Sequence, residues 1–291
     1  MVNQTLLVTG ASGHLGRLAL GELLGRSPSS HLVATTRHPN SLADLAAKGV
    51  EVRYADFDDP ASLEIAFRGL SRALLVSTDA LATPGQRITQ HTTAIRALLN
   101  AGAEHIVYTS LPNPHGTPVL LGPDHAATEA NLLASGIEYT ILRNNIYADY
   151  LVPSLTEAVA TGKYVNARGT GKVAWVTRQD CAGAAAGALV AARGRAVLDV
   201  TGPEPLSSAD VAEIAAELAK KPIVHVSVSK EELKTAMLER GTPQPLAALF
   251  TSLDDGVEKG LFANVTDTVQ RYAGRAPLSV RSFLATSALA R

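Results

Sequence analysis

Hydrophobic and polar positions follow two alternating periods along the first half of the chain. Short apolar runs recur, and each is followed by a longer segment whose apolar positions have helical spacing. The predicted strands lie at 6–8, 31–36, 50–54, 73–77, 105–109 and 137–142. The predicted helices begin at residue 15 and continue with 41–48, 60–67, 86–101 and 124–135. Strands that alternate with helices at this spacing are typical of a parallel, doubly wound sheet.

The strict alternation ends near residue 145. Beyond it we predict helices at 147–160 and 179–192 and strands at 163–165, 173–176, 196–200 and 223–226, with a mostly helical remainder from residue 207. The run at 196–200 could rejoin the main sheet. The predicted fold is therefore α/β, with a Rossmann-like doubly wound parallel sheet in residues 1–145. A smaller, mostly helical C-terminal lobe in residues 146–291 lies on the substrate side.

A glycine-punctuated turn joins the first strand to the first helix. Its spacing is G-x-x-G-x-x-G, at Gly10, Gly13 and Gly16. At a strand-to-helix junction, such glycines permit a tight turn and a close backbone approach to a pyrophosphate, which the helix N-terminus attracts. The predicted phosphate loop consists of Gly10, Ser12, Gly13, His14, Leu15 and Gly16. The turn predicts a dinucleotide site at the carboxyl ends of the strands.

The end of the second strand favours NADP(H) over NAD(H). NAD sites usually place a carboxylate there, whereas this chain has Arg37, which suits a 2′-phosphate. The alternative is a surface arginine that begins a loop. Asp56 and Phe57 follow the third strand and are expected to border the adenine, although a solvated turn is the alternative. Later strand ends offer further candidates, and those predicted to line the ribose–nicotinamide side are Ser77, Thr78, Ser110 and Asn144. Arg143, at the end of the sixth strand, is a further cofactor-binding candidate.

The sequence lacks the Tyr-x-x-x-Lys pair that many reductases of this architecture use, because no tyrosine has a lysine four residues later. His125 and Glu129 stand at i and i+4 on a predicted helix, so the carboxylate could support an imidazolium that donates a proton. An ordinary ion pair on a polar helical turn is the alternative. Reduction of an aldehyde or ketone needs a nearby acid, whereas a quinone or another conjugated acceptor needs little acid catalysis. The pattern favours the conjugated acceptor.

Composition excludes several classes of function. The 291 residues are 46% hydrophobic and 18% charged, with a net charge of −1 and no sizeable basic block. We therefore expect neither nucleic-acid binding nor membrane insertion, and we expect a cytoplasmic protein. No metal site is predicted. The single cysteine, Cys181, lies in an alanine-rich helical stretch, where a buried and inert thiol is expected.

Several motifs together resemble the NmrA-like group of atypical short-chain dehydrogenases/reductases. They are V-T-G-A-S-G-H-L-G at the start, Arg37, Y-T-S at 108–110, H-A-A-T-E at 125–129, L-R-N-N-I-Y at 142–147 and V-T-R-Q-D at 176–180. Within that group, the chain is similar to the branch of type 2 quinone oxidoreductases and triphenylmethane reductases. The resemblance spans almost the whole chain. One departure is the loop at 111–115, which is less aromatic than in triphenylmethane reductase. The resemblance therefore does not determine the acceptor pocket.

The resemblance implies NADPH bound without flavin and hydride delivery in the cleft between two lobes. It also implies that Arg143, Asn144 and Tyr147 lie near the nicotinamide and the acceptor. Tyr147 could stack on or hydrogen-bond to a flat acceptor, or it could pack the seam between the lobes. The candidate catalytic residues are thus His125, Tyr147 and Asn144, and a homodimer is possible.

Of three functions that the sequence allows, we favour the first. The first is an NADPH-dependent oxidoreductase that transfers a hydride directly to a quinone or a similar conjugated electrophile. The second is a non-catalytic NADP(H)-binding redox sensor that acts through a protein partner, as in other members of this group. The third, an isomerase or epimerase with a tightly held cofactor, would need an internal acid–base pair that the sequence does not offer.

Overall fold

A seven-stranded parallel sheet forms the centre of the protein. The computed structural model describes residues 4–27, 29–287 and 289. Its strands are β1 Thr5–Val8, β2 His31–Thr36, β3 Glu51–Tyr54, β4 Arg72–Leu75, β5 His105–Ser110, β6 Glu138–Asn144, β7 Lys163–Asn166, β8 Lys172–Val173, β9 Arg195–Val200, β10 Leu206–Ser207 and β11 Val224–Ser227. The main sheet has the order β3-β2-β1-β4-β5-β6-β9, and every pair in it is parallel. The predicted doubly wound sheet is confirmed, and the run at 196–200 rejoins it as β9.

The helices connect these strands and build the C-terminal part. They are α1 His14–Arg26, α2 Ala43–Ala46, α3 Pro60–Ala66, α4 Gln86–Asn100, α5 Gly122–Ala134, α6 Leu151–Thr161, α7 Arg178–Ala191, α8 Ser208–Ala219, α9 Lys230–Glu239, α10 Gln244–Glu258, α11 Thr268–Ala273 and α12 Val280–Ala285. Short 3₁₀ turns cover Pro39–Leu42 and Ala148–Tyr150. The predicted helix at 147–160 therefore begins later, after a 3₁₀ turn. None of the helices in the described ranges is long and apolar enough to cross a lipid bilayer.

The two faces of the sheet are buried by different helices. Successive side chains of a strand point to opposite faces, and in β1 Leu6 and Val8 join one apolar cluster while Leu7 joins the other. Helices α1, α7 and α11 supply the first cluster, and α3, α4 and α5 supply the second. With both faces covered, the carboxyl edge of the strands is where a ligand can reach the sheet.

Residues of the second half of the chain form most of a third apolar cluster, which Leu111 and Val119 of the first half join. Leu151 and Leu155 of α6 meet Val211 and Ala215 of α8 and Val257 of α10 in this cluster. Two small sheets extend the lobe, with β8 antiparallel to β10 and β7 parallel to β11. Helix α7 and strand β9 also come from the second half of the sequence. Strand β9 nevertheless pairs within the main sheet, and α7 packs against one face of it. The chain therefore leaves the main sheet after β6, and α7 and β9 return to it.

Buried Arg72 fastens the end of α7 to the sheet. The side chain lies on β4, is only 2% exposed, and donates hydrogen bonds to the carbonyl oxygens of Ala188, Leu189 and Ala192. Those carbonyls lie at the negative end of the helix dipole, where a cation is favourable. Burial lowers the pKa of Arg72 to about 10, so the guanidinium stays charged at neutral pH.

Small residues let α11 approach α7 closely. The backbone carbonyl of Tyr272 lies directly over Gly187, and a methyl group at Gly187 would overlap with it. Gly21 in α1 offers the opposite situation, because nothing lies within 4 Å of the position that its Cβ would take. The two helical glycines are thus a matched pair, one with a packing role and one without.

We predict opposite effects on stability from the same substitution at these two positions. Gly187→Ala should lower the free energy of unfolding by about 1–3 kcal/mol, because it overpacks the α7–α11 contact. Gly21→Ala should raise it by about 0.5–1 kcal/mol through helix propensity. Urea denaturation followed by circular dichroism measures both. A Gly187→Ala variant that is more stable than the wild type would contradict this prediction, because it would show that α11 can move away from α7 without a loss of stability.

Candidate active site

A cavity of about 790 Å³ opens at the carboxyl ends of β1 to β4. It spans the point between β1 and β4 at which the strand order reverses, where ligands of doubly wound sheets bind. Its walls come from the loops after these strands, the start of α4, and three residues beyond β6. The predicted residues on these walls are Gly10, Ser12, Gly13, His14, Leu15, Gly16, Arg37, Asp56, Phe57, Ser77, Thr78 and Tyr147.

The first turn brings α1 into direct contact with the end of β1. Gly10 has φ +57°, a left-handed conformation that glycine adopts without strain. A Cβ on Gly16 would lie 2.5 Å from the Gly10 carbonyl oxygen and 2.9 Å from the Ala11 Cα. No side chain larger than hydrogen fits at Gly16, so this glycine sets the distance between helix and turn.

The N-terminus of α1 faces the cavity without a side-chain cap. Gly13 occupies the N-cap position, and the first turn contains no acidic residue. The first N–H groups of a helix have no partner within the helix, and they form the positive end of its dipole. Exposed Ser12 and His14 stand beside them on the wall. This end of the cavity suits an anion such as a pyrophosphate.

Arg37 stands at the rim of the cavity, directly after β2. The hydroxyl of the preceding buried residue, Thr36, donates to Ser12 Oγ (2.9 Å) and accepts from the His38 N–H (3.1 Å), which ties the end of β2 to the first turn. Arg37 itself is exposed and forms no ion pair with any residue that the structure describes. A guanidinium without a carboxylate partner, close to an uncapped helix N-terminus, suits a phosphate group.

The loop after β3 is held by α4. The Asp56 carboxylate accepts from the Asp58 N–H (3.0 Å), and the Asp58 carboxylate accepts from the side-chain amides of Gln86 (3.1 Å) and Gln90 (2.9 Å). Phe57 lies half-buried on the same wall. Sequence reasoning missed the two glutamines, because their role depends on how α4 sits against this loop.

The loop after β4 is held by buried hydrogen bonds. The Ser77 N–H donates to Thr109 Oγ1 (2.9 Å), and the Thr78 N–H donates to His91 Nε2 (3.0 Å). Burial lowers the pKa of His91 to about 3, so the ring is neutral and its Nδ1–H donates to Thr128 Oγ1 (2.9 Å). His91 therefore positions the cavity wall at Thr78.

His125 lies behind the cavity wall, in contrast to its predicted position. It is 4% exposed, and its Nε2 faces the Arg87 guanidinium at 3.3 Å. Because arginine only donates, Nε2 accepts and Nδ1 carries the hydrogen that it shares with Tyr108 Oη (2.7 Å). Burial, followed by the charge of Arg87, lowers the pKa of His125 well below its usual value. The expected imidazolium does not form.

Glu129 pairs with strands β5 and β6 instead of with His125. Its carboxylate accepts two hydrogen bonds from Arg143 (3.0 and 2.6 Å) and one from Ser110 Oγ (2.7 Å). The i, i+4 pair with His125 that the sequence favoured is therefore absent. Ser110 and Arg143 use their polar groups on Glu129, and neither is part of the cavity wall.

The end of the cavity beyond β6 is aromatic and cationic. Tyr147 and Tyr150 line it with Arg178, whose guanidinium carbon lies 4.7 Å from the centre of each tyrosine ring. Asn144 is buried behind them, and its Nδ2 donates to Tyr147 Oη (3.2 Å). Tyr150 and Arg178 were not predicted. Arg178 lies within the V-T-R-Q-D segment, but only the fold brings it to Tyr147.

Comparison with known proteins identifies an NAD(P)H-binding chain. The model of an NAD(P)H-binding family matches residues 10–192. Quinone oxidoreductase 2 of Escherichia coli K12 is 35% identical over 274 residues, which cover 92% of this chain and 93% of that protein.

Two solved structures share the fold closely. The NADPH complex of the E. coli NADPH-dependent quinone oxidoreductase QOR2 superposes with a TM-score of 0.91 at 32% identity, covering 96% of this chain and 98% of that one. The NADP(H) complex of Citrobacter sp. triphenylmethane reductase superposes with a TM-score of 0.90 at 33% identity, covering 95% and 98%. The resemblance stated from the motifs is confirmed. The chain belongs to the NAD(P)H-binding family that includes these NmrA-like reductases.

Proposed function

We propose that the protein is an NADPH-dependent reductase of quinones or similar conjugated electrophiles and that it works without flavin. The observation that carries this proposal is the continuity of one cavity. An uncapped helix N-terminus and Arg37 lie at one end of it, and Tyr147, Tyr150 and Arg178 lie at the other. The name of one relative, quinone oxidoreductase 2, supports a quinone acceptor, and the name of the other, triphenylmethane reductase, supports reduction of a conjugated acceptor in general.

The residues present fit NADPH along the length of the cavity. The N–H groups of α1 and Ser12 would hold the pyrophosphate in the cradle that Gly16 keeps open. Arg37 would hold the 2′-phosphate, and Asp56 with Phe57 would border the adenine. Ser77 and Thr78 would line the ribose next to the nicotinamide, and buried Asn144 would lie on the far side. When bound, NADPH supplies the hydride.

The titratable side chains Tyr147, His125 and His91 each keep one protonation state near neutral pH, so none of them readily transfers a proton to the acceptor. Burial raises the pKa of Tyr147 above its usual value, so its hydroxyl stays protonated. His125 and His91 stay neutral for the opposite reason, since burial lowers the pKa of each. A quinone tolerates this arrangement because its reduced form is a stabilised oxyanion that water can protonate. We therefore assign His125 a structural role and Tyr147 the contact with the acceptor.

Turnover of a quinone tests the proposal directly. Purified protein should oxidise NADPH with at least some members of a small quinone panel, and the rate should be the same with and without added flavin. Loss of NADPH absorbance measures it. Tight NADPH binding without oxidation across the panel would favour the redox sensor that acts through a protein partner. Turnover that requires flavin would contradict direct transfer.

Replacement of Arg37 tests the phosphate contact. Arg37→Ala should weaken NADPH binding by roughly 10- to 100-fold, because a charge-assisted contact to phosphate is lost, and NADH binding should change little. Fluorescence titration of both cofactors measures the two affinities. Arg96→Ala, at an exposed position on α4 away from the cavity, is the control and should leave both unchanged. Equal weakening of NADPH and NADH would refute the contact with the 2′-phosphate.

The pKa shifts predict a flat pH profile. Lowered histidine pKa values keep His91 and His125 neutral above the acidic range, and a raised tyrosine pKa keeps Tyr147 protonated below the strongly basic range. With NADPH and quinone both saturating, kcat should therefore be constant from about pH 6 to about pH 9. A bell-shaped profile, or a tenfold change per pH unit within this window, would reveal an acid or base that we have not assigned.

A further inference from the structure

Arg178 is placed between two tyrosine rings at the acceptor end of the cavity. It is the first residue of α7, its side chain is 17% exposed, and its guanidinium lies over Tyr147 and Tyr150 at the same distance of 4.7 Å. The two ring centres lie 5.9 Å apart. A cation over the face of an aromatic ring is attracted by the negative charge of that face. Three side chains therefore form one cationic, aromatic wall.

Asp149 fixes the position of Arg178. The Asp149 carboxylate lies 3.3 Å from its guanidinium and also accepts a hydrogen bond from its backbone N–H (2.9 Å). Among the described residues, Asp149 is its ion-pair partner. A guanidinium has five N–H donors, and a single carboxylate cannot occupy all of them. The positive charge of Arg178 therefore still acts on the two tyrosine rings.

The hydroxyl of Tyr147 is free to donate. Its oxygen accepts from Asn144 Nδ2, and no described residue accepts a hydrogen bond from it. Since burial raises the pKa of Tyr147, the hydrogen stays on the oxygen. A cation over the ring favours negative charge on the phenol oxygen, which makes the O–H a stronger donor. Tyr147 lines the cavity beside Arg178, and we infer that its hydroxyl is the hydrogen-bond donor on this wall.

We propose that Tyr147 and Arg178 together stabilise an oxyanion on the acceptor and thereby select acceptors that become anionic on reduction. Tyr147 is the residue that touches the acceptor oxygen, and Arg178 is a positioning residue that acts through its ring. This inference rests on the proposed function and names its substrate class, which is quinones and conjugated carbonyl compounds. A cationic dye, which becomes neutral when it gains a hydride, receives no such help.

The chemistry balances with the groups already named. A quinone gains one hydrogen and two electrons as a hydride from NADPH, and one carbonyl group becomes the oxyanion of the hydroquinone. A proton from water then completes the hydroquinone. Neither Tyr147 nor Arg178 gains or loses an atom. Their contribution is confined to the stage at which the acceptor oxygen carries negative charge.

A double-mutant cycle tests whether Arg178 acts through Tyr147. Arg178→Met should lower kcat with a quinone by about 2- to 30-fold, as expected for a buried cation–π contact, with NADPH affinity unchanged. Arg178→Lys should recover part of the loss. In a Tyr147→Phe background, Arg178→Met should have no further effect, because the hydroxyl that it polarises is missing. The surface variant Arg96→Met is the control for an arginine far from the cavity.

Additive losses in this cycle would overturn the inference, as would an unchanged kcat in Arg178→Met. Should Arg178→Met weaken NADPH binding or lower thermal stability, Arg178→Gln, which is neutral but still polar, carries the cycle in its place. A wild-type protein that oxidises no NADPH with any quinone would instead overturn the proposed function, and the two failures are therefore distinguishable.

A binding experiment tests the same pair without turnover. The probe is 4-nitrophenol, whose absorbance distinguishes the phenol from the phenolate, added to the full chain in the presence of NADP⁺. We expect the bound probe to ionise at a lower pH in the wild type than in Arg178→Met, because the cationic wall favours the anion. The same ionisation in both proteins, or no binding to either, would contradict an oxyanion site.

Discussion

The contact between α1 and the first turn is the constraint on which the site depends. Gly16 packs against Gly10 and Ala11 so closely that no Cβ fits, and this contact points the uncapped N-terminus of the helix at the carboxyl edge of the sheet. The reversal of strand order beside β1 opens the space in front of it. Because this packing fixes the helix dipole and the N–H groups of the first turn, the end of the cavity that suits an anion is preformed.

A second layer, behind the cavity, is polar and closed. His91, His125 and Glu129 each find partners among neighbouring side chains, and burial keeps both histidines neutral. Buried polar groups are stable only when their hydrogen bonds are made, so this layer fixes the loops that form the cavity wall. Neither histidine of this layer is therefore a proton donor in the reaction that we propose.

The sequence predicted the parts of the fold that local pattern determines. Apolar runs and terminating glycines located the strands of the main sheet, and Gly10, Gly13 and Gly16 lie in the predicted turn, on the wall of the cavity. Their role as a phosphate loop stays a prediction. Local pattern failed where a partner came from a distant segment. His125 and Glu129 share a helix face, but strong donors on β5 and β6 compete for Glu129, and Arg178 meets Tyr147 only because α7 returns to the sheet. Such contacts depend on tertiary packing, which spacing along the chain does not encode.

The most direct measurement is a single turnover in the absence of flavin. The protein, loaded with one equivalent of NADPH and freed of excess cofactor, is mixed rapidly with a quinone while NADPH absorbance and hydroquinone formation are followed together. The account predicts that bound NADPH disappears and that one hydroquinone forms for each NADPH consumed. NADPH that stays bound and unoxidised in the presence of the quinone would contradict it and would leave a binding protein in place of a reductase.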